Sequence, residues 1–110
     1  MVPEIDLPTF AAEHAAGALV IDVRESFEYA AGHVPGARHI PMSQLPDRLA
    51  ELPTAQPVYV ICQSGGRSYA AAGGLRRAGV NAISVAPGTG GWIHAGHPVV
   101  RGSHPATEVA

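Results

Sequence analysis

Lysine does not occur in this chain: all seven basic residues among its 110 are arginines. That excludes lysine-based catalysis, whether by a Schiff base or by a free amine. Cysteine occurs once, as Cys62, so there is no intrachain disulfide, no C-x-x-C pair and no cysteine-rich zinc centre. Aromatic residues make up only 5%, and the core must be built from small side chains. Charge of either sign is scarce and nearly balanced, at a net −2, which gives no electrostatic reason to expect nucleic acid or an anionic membrane as a partner. No apolar run approaches the length of about 20 residues that spans a bilayer. The opening residues Met1-Val2-Pro3-Glu4-Ile5-Asp6 also lack a basic region followed by an apolar stretch. A cytoplasmic, single-domain protein is the expectation, with the domain over residues 1–100 and a flexible C-terminal tail over 101–110.

What is present alternates between short apolar runs and helical segments. Asp6 is suited to cap a helix reaching Ala16, with Pro8 tolerated in its first turn. Leu19-Val20-Ile21 reads as a buried strand ending at Asp22. Ser26 is the expected cap of a brief helix, Phe27 to Ala31, closed by Gly32. A short strand from Ala37 to Ile40 follows, then a helix from Leu45 to Leu52. Val58 to Ile61 is the clearest strand, and the helix after it runs from Arg67 to Ala78, stopping at Gly79. Ala82 to Val85 is the last strand, and Gly88 to Ala95 holds a final turn or short helix. Such alternation predicts an α/β fold in which a parallel sheet is covered by helices on both faces. Active sites of these folds lie beyond the carboxyl ends of the strands, where Asp22 and Cys62 both fall.

The stretch Val58-Tyr59-Val60-Ile61-Cys62-Gln63-Ser64-Gly65-Gly66-Arg67-Ser68 concentrates the chemistry. A strand ends at the thiol, a tight loop of small and polar residues follows, and a helix begins. A loop of this kind aims several N–H groups at one point, and the helix dipole adds partial positive charge there. Both favour the thiolate, which is the nucleophilic form. Gly65 and Gly66 permit positive φ, so that successive amides can turn inward.

Three blocks together resemble the single-domain rhodaneses of the sulfurtransferase family. Ile21-Asp22-Val23-Arg24-Glu25, continuing through Glu28-Tyr29 to Gly32-His33-Val34-Pro35-Gly36-Ala37, is similar to the D-x-R…E-[FY]-x-x-G-H-[IV]-P-G-A signature. Cys62 to Ser68 is similar to C-x-x-G-x-R-[ST]. Gly90-Gly91-Trp92 with Ala95-Gly96-His97-Pro98-Val99 is similar to the family's ending. The resemblance implies a three-layer rhodanese-like fold with a mostly parallel sheet, and an enzyme that needs neither cofactor nor metal. It implies that Cys62 takes the outer sulfur of thiosulfate or another persulfide donor and passes it to a thiol or cyanide. The partners would be a small sulfur donor and a thiol acceptor, with a protein acceptor as a further class.

Carried onto this chain, Cys62 and Arg67 are the candidate catalytic residues. Gln63, Ser64, Gly65, Gly66 and Ser68 form the candidate substrate cradle, and Asp22 and Arg24 are the candidate supports. Arg67 can close the loop by bonding its carbonyls or face a sulfonate, while Ser68 can cap the helix or donate to the sulfur. Two rivals stand beside this reading: a rhodanese-fold module that only binds proteins, and a cysteine phosphatase or arsenate reductase. Only four residues separate Cys62 from Arg67, a loop one residue shorter than the phosphatase C-x5-R, and so cramped for a tetrahedral phosphate.

Other residues have plainer readings. Asp22 is expected to bond backbone amides, Arg24 and Glu28 to form an ion pair, His33 to brace its loop and Trp92 to pack in the core. The histidines His94, His97 and His104 suggest no metal site. Gln63 stands where many active members carry a basic residue, which should weaken capture of dianionic thiosulfate. Gly66 stands where asparagine is common, and Pro87 where glycine is. Gly73-Gly74 inside a helix costs roughly 2 kcal/mol against two alanines; close packing against a neighbour would explain it, but the sequence alone does not.

Overall fold

The computed structural model describes residues 2–104. Five strands, β1 (Glu4–Ile5), β2 (Leu19–Asp22), β3 (Arg38–His39), β4 (Val58–Ile61) and β5 (Ala82–Val85), form one sheet in the order β1-β5-β4-β2-β3. Every strand pair is parallel. Helices α1 (Leu7–Ala15), α2 (Ser26–Ala31), α3 (Gly66–Arg77) and α4 (Gly88–His94) and a 3-10 segment, Met42–Glu51, connect them.

The two-residue period of β4 sorts the core into two layers. Val58 and Val60 face a cluster with Ala71, Ala72 and Leu75 of α3 and Leu45 and Leu52 from the 3-10 side. Tyr59 and Ile61 face a second cluster with Phe10 of α1 and Trp92 of α4. All four residues of β4 are buried, which is why the segment is uniformly apolar rather than alternating. This is the expected architecture, with helices on both faces of a parallel sheet.

Several boundaries differ from the sequence reading. The cap of α2 is Glu25, not Ser26, and the Glu28 carboxylate accepts the Glu25 N–H at 3.1 Å. The expected helix from Leu45 to Leu52 is a 3-10 segment starting three residues earlier, with Arg48 off helical geometry. Pro46 lies inside it and supplies no N–H, so an α-helical ladder cannot run through. Strand β1 was not legible: it is two residues between Pro3 and Asp6, too short for any periodicity. Of the expected tail, residues 105–110 lie outside the described residues. Before them, the Gly102 N–H donates to the Ala30 carbonyl at 2.9 Å. The His33 ring bonds both the Tyr29 carbonyl (2.8 Å) and the His104 carbonyl (2.9 Å).

Among the described residues, no helix is long and apolar enough to cross a membrane.

The glycine pair in α3 is not explained by tight packing. A Cβ at Gly73 would meet Val2 at 3.4 Å, and one at Gly74 would meet only the end of Arg77 at 3.7 Å, both ordinary contacts. Gly74→Ala should therefore stabilise the fold by about 1 kcal/mol, raising Tm by about 5 °C in a thermal unfolding scan.

Candidate active site

Strands β2 and β4 are neighbours whose connections leave toward opposite edges of the sheet, and ligand sites of open parallel sheets form at such a switch point. In register, Asp22 sits opposite Ile61, so the residues following each strand share one end of the sheet. Cys62 continues the alternation of Val58 and Val60 and faces the α3 layer.

The thiol is 1% exposed. Its sulfur accepts the Gly65 N–H at 3.1 Å and lies 3.5 Å from the Ser68 hydroxyl. Burial pushes the Cys62 thiol up, but bonds from the Ser68 hydroxyl and from the N–H groups of Ser68, Gly65 and Ser64 outweigh it. The net effect is a pKa below the ordinary thiol value, the direction that yields thiolate near neutrality. Gly65 has φ +123°, a conformation that side chains rarely adopt, and this turn points its amide at the sulfur. Gly66 does not share that need. Its φ is not positive, and a Cβ there would meet nothing.

The Ser68 hydroxyl also lies 3.1 Å from the Gly65 carbonyl and 2.8 Å from the Ser84 hydroxyl. Ser68 and Ser84 are both fully buried. Among the described residues, Ser68 is the hydrogen-bond partner of the Ser84 side chain. A buried O–H without an acceptor is costly, so Ser84 donates to Ser68 rather than the reverse. That leaves the Ser68 proton free for the Gly65 carbonyl or, once the thiol ionises, for the sulfur.

Arg67 does not bond the loop carbonyls. Its guanidinium grips Glu28 with two parallel bonds of 2.7 and 2.8 Å. The Arg67 bonds hold the Glu28 carboxyl down at about 2, and Glu28 in turn raises Arg67. The expected Arg24–Glu28 pair is thereby replaced: Glu28 turns to α3, and Arg24 turns to β2. Arg24 donates to Asp22 through its backbone N–H (3.0 Å) and through its guanidinium, closest at 2.8 Å. The same guanidinium bonds the Gly32 carbonyl at 2.9 Å and the Gln63 side-chain oxygen at 3.0 Å. Gln63 and Ser64 are exposed at the outer face of the loop.

A second turn closes the site from below. The N–H groups of Thr89 and Gly90 donate to the carbonyls of Cys62 (2.8 Å) and Gln63 (2.9 Å). A Cβ at Gly88 would stand 2.7 Å from the Cys62 carbonyl oxygen, and its φ is +77°, so glycine is required twice over. Trp92 is buried in the core and donates to the Pro98 carbonyl at 2.7 Å. Sequence reasoning missed Ser84, Gly88 and the Glu28–Arg67 pairing. The Pro87-Gly88 dipeptide marked a turn, but nothing local ties Ser84 or Glu28 to the loop.

Residues 8–95 match the model of the rhodanese-like domain family, and the chain belongs to that family. It is 34% identical over 103 residues to a protein named sulfurtransferase from Allochromatium vinosum, covering 91% of this chain and 96% of that one. It is 37% identical over 94 residues to the putative sulfur carrier protein YrkF of Bacillus subtilis, covering 83% of this chain but only 51% of the relative. The chain thus spans about half the length of that relative. Among solved structures, a rhodanese-related protein from Thermoplasma volcanium superposes with a TM-score of 0.81 at 35% identity, over 89% of this chain and 97% of that one.

Removing the donor behind Ser68 should reach the sulfur. In Ser84→Ala and Ser68→Ala the Cys62 pKa rises, read as a shift to higher pH of the iodoacetamide alkylation profile, with the larger shift in Ser68→Ala. The Glu28–Arg67 pair has its own pH signature. Because folding depresses the Glu28 pKa, its contribution is present above the ordinary value of 4.5 and is lost as pH falls toward about 2. Glu28→Gln keeps an acceptor for the Glu25 N–H but loses the charge. Its Tm deficit against wild type should be full at pH 7 and shrink steadily between pH 4.5 and 2.

Proposed function

We propose that this protein is a sulfurtransferase in which Cys62 carries a sulfane sulfur. The observation that carries the reading is the buried Cys62 sulfur at the start of α3, held by the Gly65 amide and the Ser68 hydroxyl with a depressed pKa. The Cys62 thiolate attacks the outer sulfur of thiosulfate or another persulfide donor. A new S–S bond forms, the donor's S–S bond breaks, and its electron pair leaves with sulfite or a thiolate. An acceptor thiolate, small or on a protein, then attacks the terminal sulfur and regenerates Cys62.

The first N–H groups of α3 have no partner within the helix, and with those of the loop from Gln63 onward they are the cradle for the terminal sulfur anion. Gly65 supplies the turn, Ser68 holds the inner sulfur, and Gln63, Ser64 and Gly66 border the entrance. Arg67 acts by closing the site against Glu28 rather than by clamping an oxyanion. That engagement, with the four-residue spacing to Cys62, also argues against phosphate-ester or arsenate chemistry. Asp22 and Arg24 hold the loop from the neighbouring strand. With a single cysteine in the chain, the persulfide has no internal thiol to resolve it, so the sulfur goes to an external acceptor.

Intact-protein mass spectrometry tests this. Incubation with thiosulfate or an organic persulfide should add one sulfur atom, removable by cyanide and absent in Cys62→Ser. If no donor adds sulfur, the protein is instead a binding module built on the same fold.

A further inference from the structure

The glycine pair of α3 has no reason in the packing of the core, yet helices rarely carry two adjacent glycines without one. Its surroundings supply it. A Cβ at Gly73 would stand 3.7 Å from one terminal nitrogen of Arg77, and a Cβ at Gly74 would stand 3.7 Å from the other. Helical side chains lean toward the N-terminus of their helix, and the bare backbone gives the Arg77 guanidinium room to lie along it. Among the described residues that guanidinium has no carboxylate partner, whereas Arg24, Arg38, Arg48 and Arg67 each have one. Arg76 is also engaged, with the Ala82 carbonyl and the Asn81 side chain. The helix dipole favours a cation in this last turn, but it does not account for two glycines beside one.

Next to Arg77 lies a hollow of about 360 Å³ between α3 and the 3-10 segment. Met42, Leu45 and Leu49 line one side, Gly74 and Leu75 the other, and Arg77 is the one charged residue in the lining. Small-molecule sites have this composition: apolar walls with very few placed polar groups. A space of about 150 Å³ holds a benzene ring, so this one takes an unbranched chain of about eight to ten carbons. A protein partner fits less well. A stable interface covers about 800 Å² on each side, and among the described residues the exposed large hydrophobics, Phe27, Tyr69 and Ile93, all lie outside this lining.

We propose that this hollow is a binding site for a free medium-chain carboxylic acid, its alkyl chain against Leu45, Leu49 and Leu75 and its carboxylate on Arg77. Gly74 then has two tasks: it makes room for the guanidinium and keeps a side chain out of the space the alkyl chain fills. No bond is made or broken there, and Cys62 takes no part.

Isothermal titration calorimetry with decanoate, decanol and decyltrimethylammonium, each below its micelle concentration, separates chain from charge. Decanoate should bind one to one and about fivefold tighter than decanol, the upper range for an exposed ion pair. The ammonium compound should bind weakest. Arg77→Gln should bring decanoate to the affinity of decanol while leaving decanol unchanged. Gly74→Leu introduces a good helix former whose Cβ meets only the movable end of Arg77, and it should weaken both about tenfold or more by filling the hollow. Cys62→Ser should bind decanoate as the wild type does. Absence of one-to-one decanoate binding, equal affinity for the three probes, or a decanoate preference that survives in Arg77→Gln overturns the site. So does binding undiminished in Gly74→Leu or lost in Cys62→Ser. None of these outcomes bears on sulfur loading of Cys62, which the mass measurement above reads separately.

Discussion

The guanidinium of Arg24 is the tie on which the site's arrangement depends. It is 2% exposed and reaches three separate parts of the chain: the end of β2 through Asp22, the end of α2 through the Gly32 carbonyl, and the cysteine loop through Gln63. Removing one member of a buried ion pair leaves the other charge desolvated, at a cost of about 3–5 kcal/mol. Asp22 and Arg24 are therefore less a stabilising ornament than a constraint on where the loop can sit. The His39 ring, 2.7 Å from the Arg24 carbonyl, holds the same turn from the side of β3.

Around that tie the site balances two opposing effects on one sulfur. Burial disfavours the Cys62 thiolate, whereas four hydrogen-bond donors from the loop and the first turn of α3 favour it. Those donors act only if the loop turns sharply, which Gly65 allows, and only if the carbonyls of Cys62 and Gln63 are occupied elsewhere. The turn at Gly88 meets the second condition by sending the Thr89 and Gly90 amides to those two oxygens. Glu28 meets a related need, since an Arg67 without its bidentate partner would compete for loop carbonyls.

The central strands, the helix after Cys62 and the C-terminal turn were legible because each carries a local signal: a β-branched run, an alanine-rich stretch ended by glycine, a Pro-Gly pair. The 3-10 segment was misread as a helix because Pro46 was taken as a first-turn residue, whereas the segment starts at Met42 and puts the proline ring inside it, against the carbonyl four residues back that an α-helix would place there. Gly66 was grouped with Gly65 on composition, although only Gly65 takes the conformation that needs glycine. The Arg24–Glu28 pairing failed for a different reason: helical spacing brings the two side chains near, but Arg24 folds back on Asp22, two residues before it, and Glu28 is taken by Arg67 across the sheet end.

The sequence by itself determined the fold class, the candidate nucleophile and the loop that surrounds it, because strand, loop and helix start are consecutive and their chemistry is local. Only the tertiary structure decided which charges pair, that Ser84 stands behind Ser68, and that Phe27 and Ile93 share one hollow. The Glu28–Arg67, Ser68–Ser84 and Phe27–Ile93 contacts join residues 16 to 66 positions apart in the chain, and no local preference encodes them. They follow from parallel strand register and helix packing, which are settled only when the whole sheet has formed.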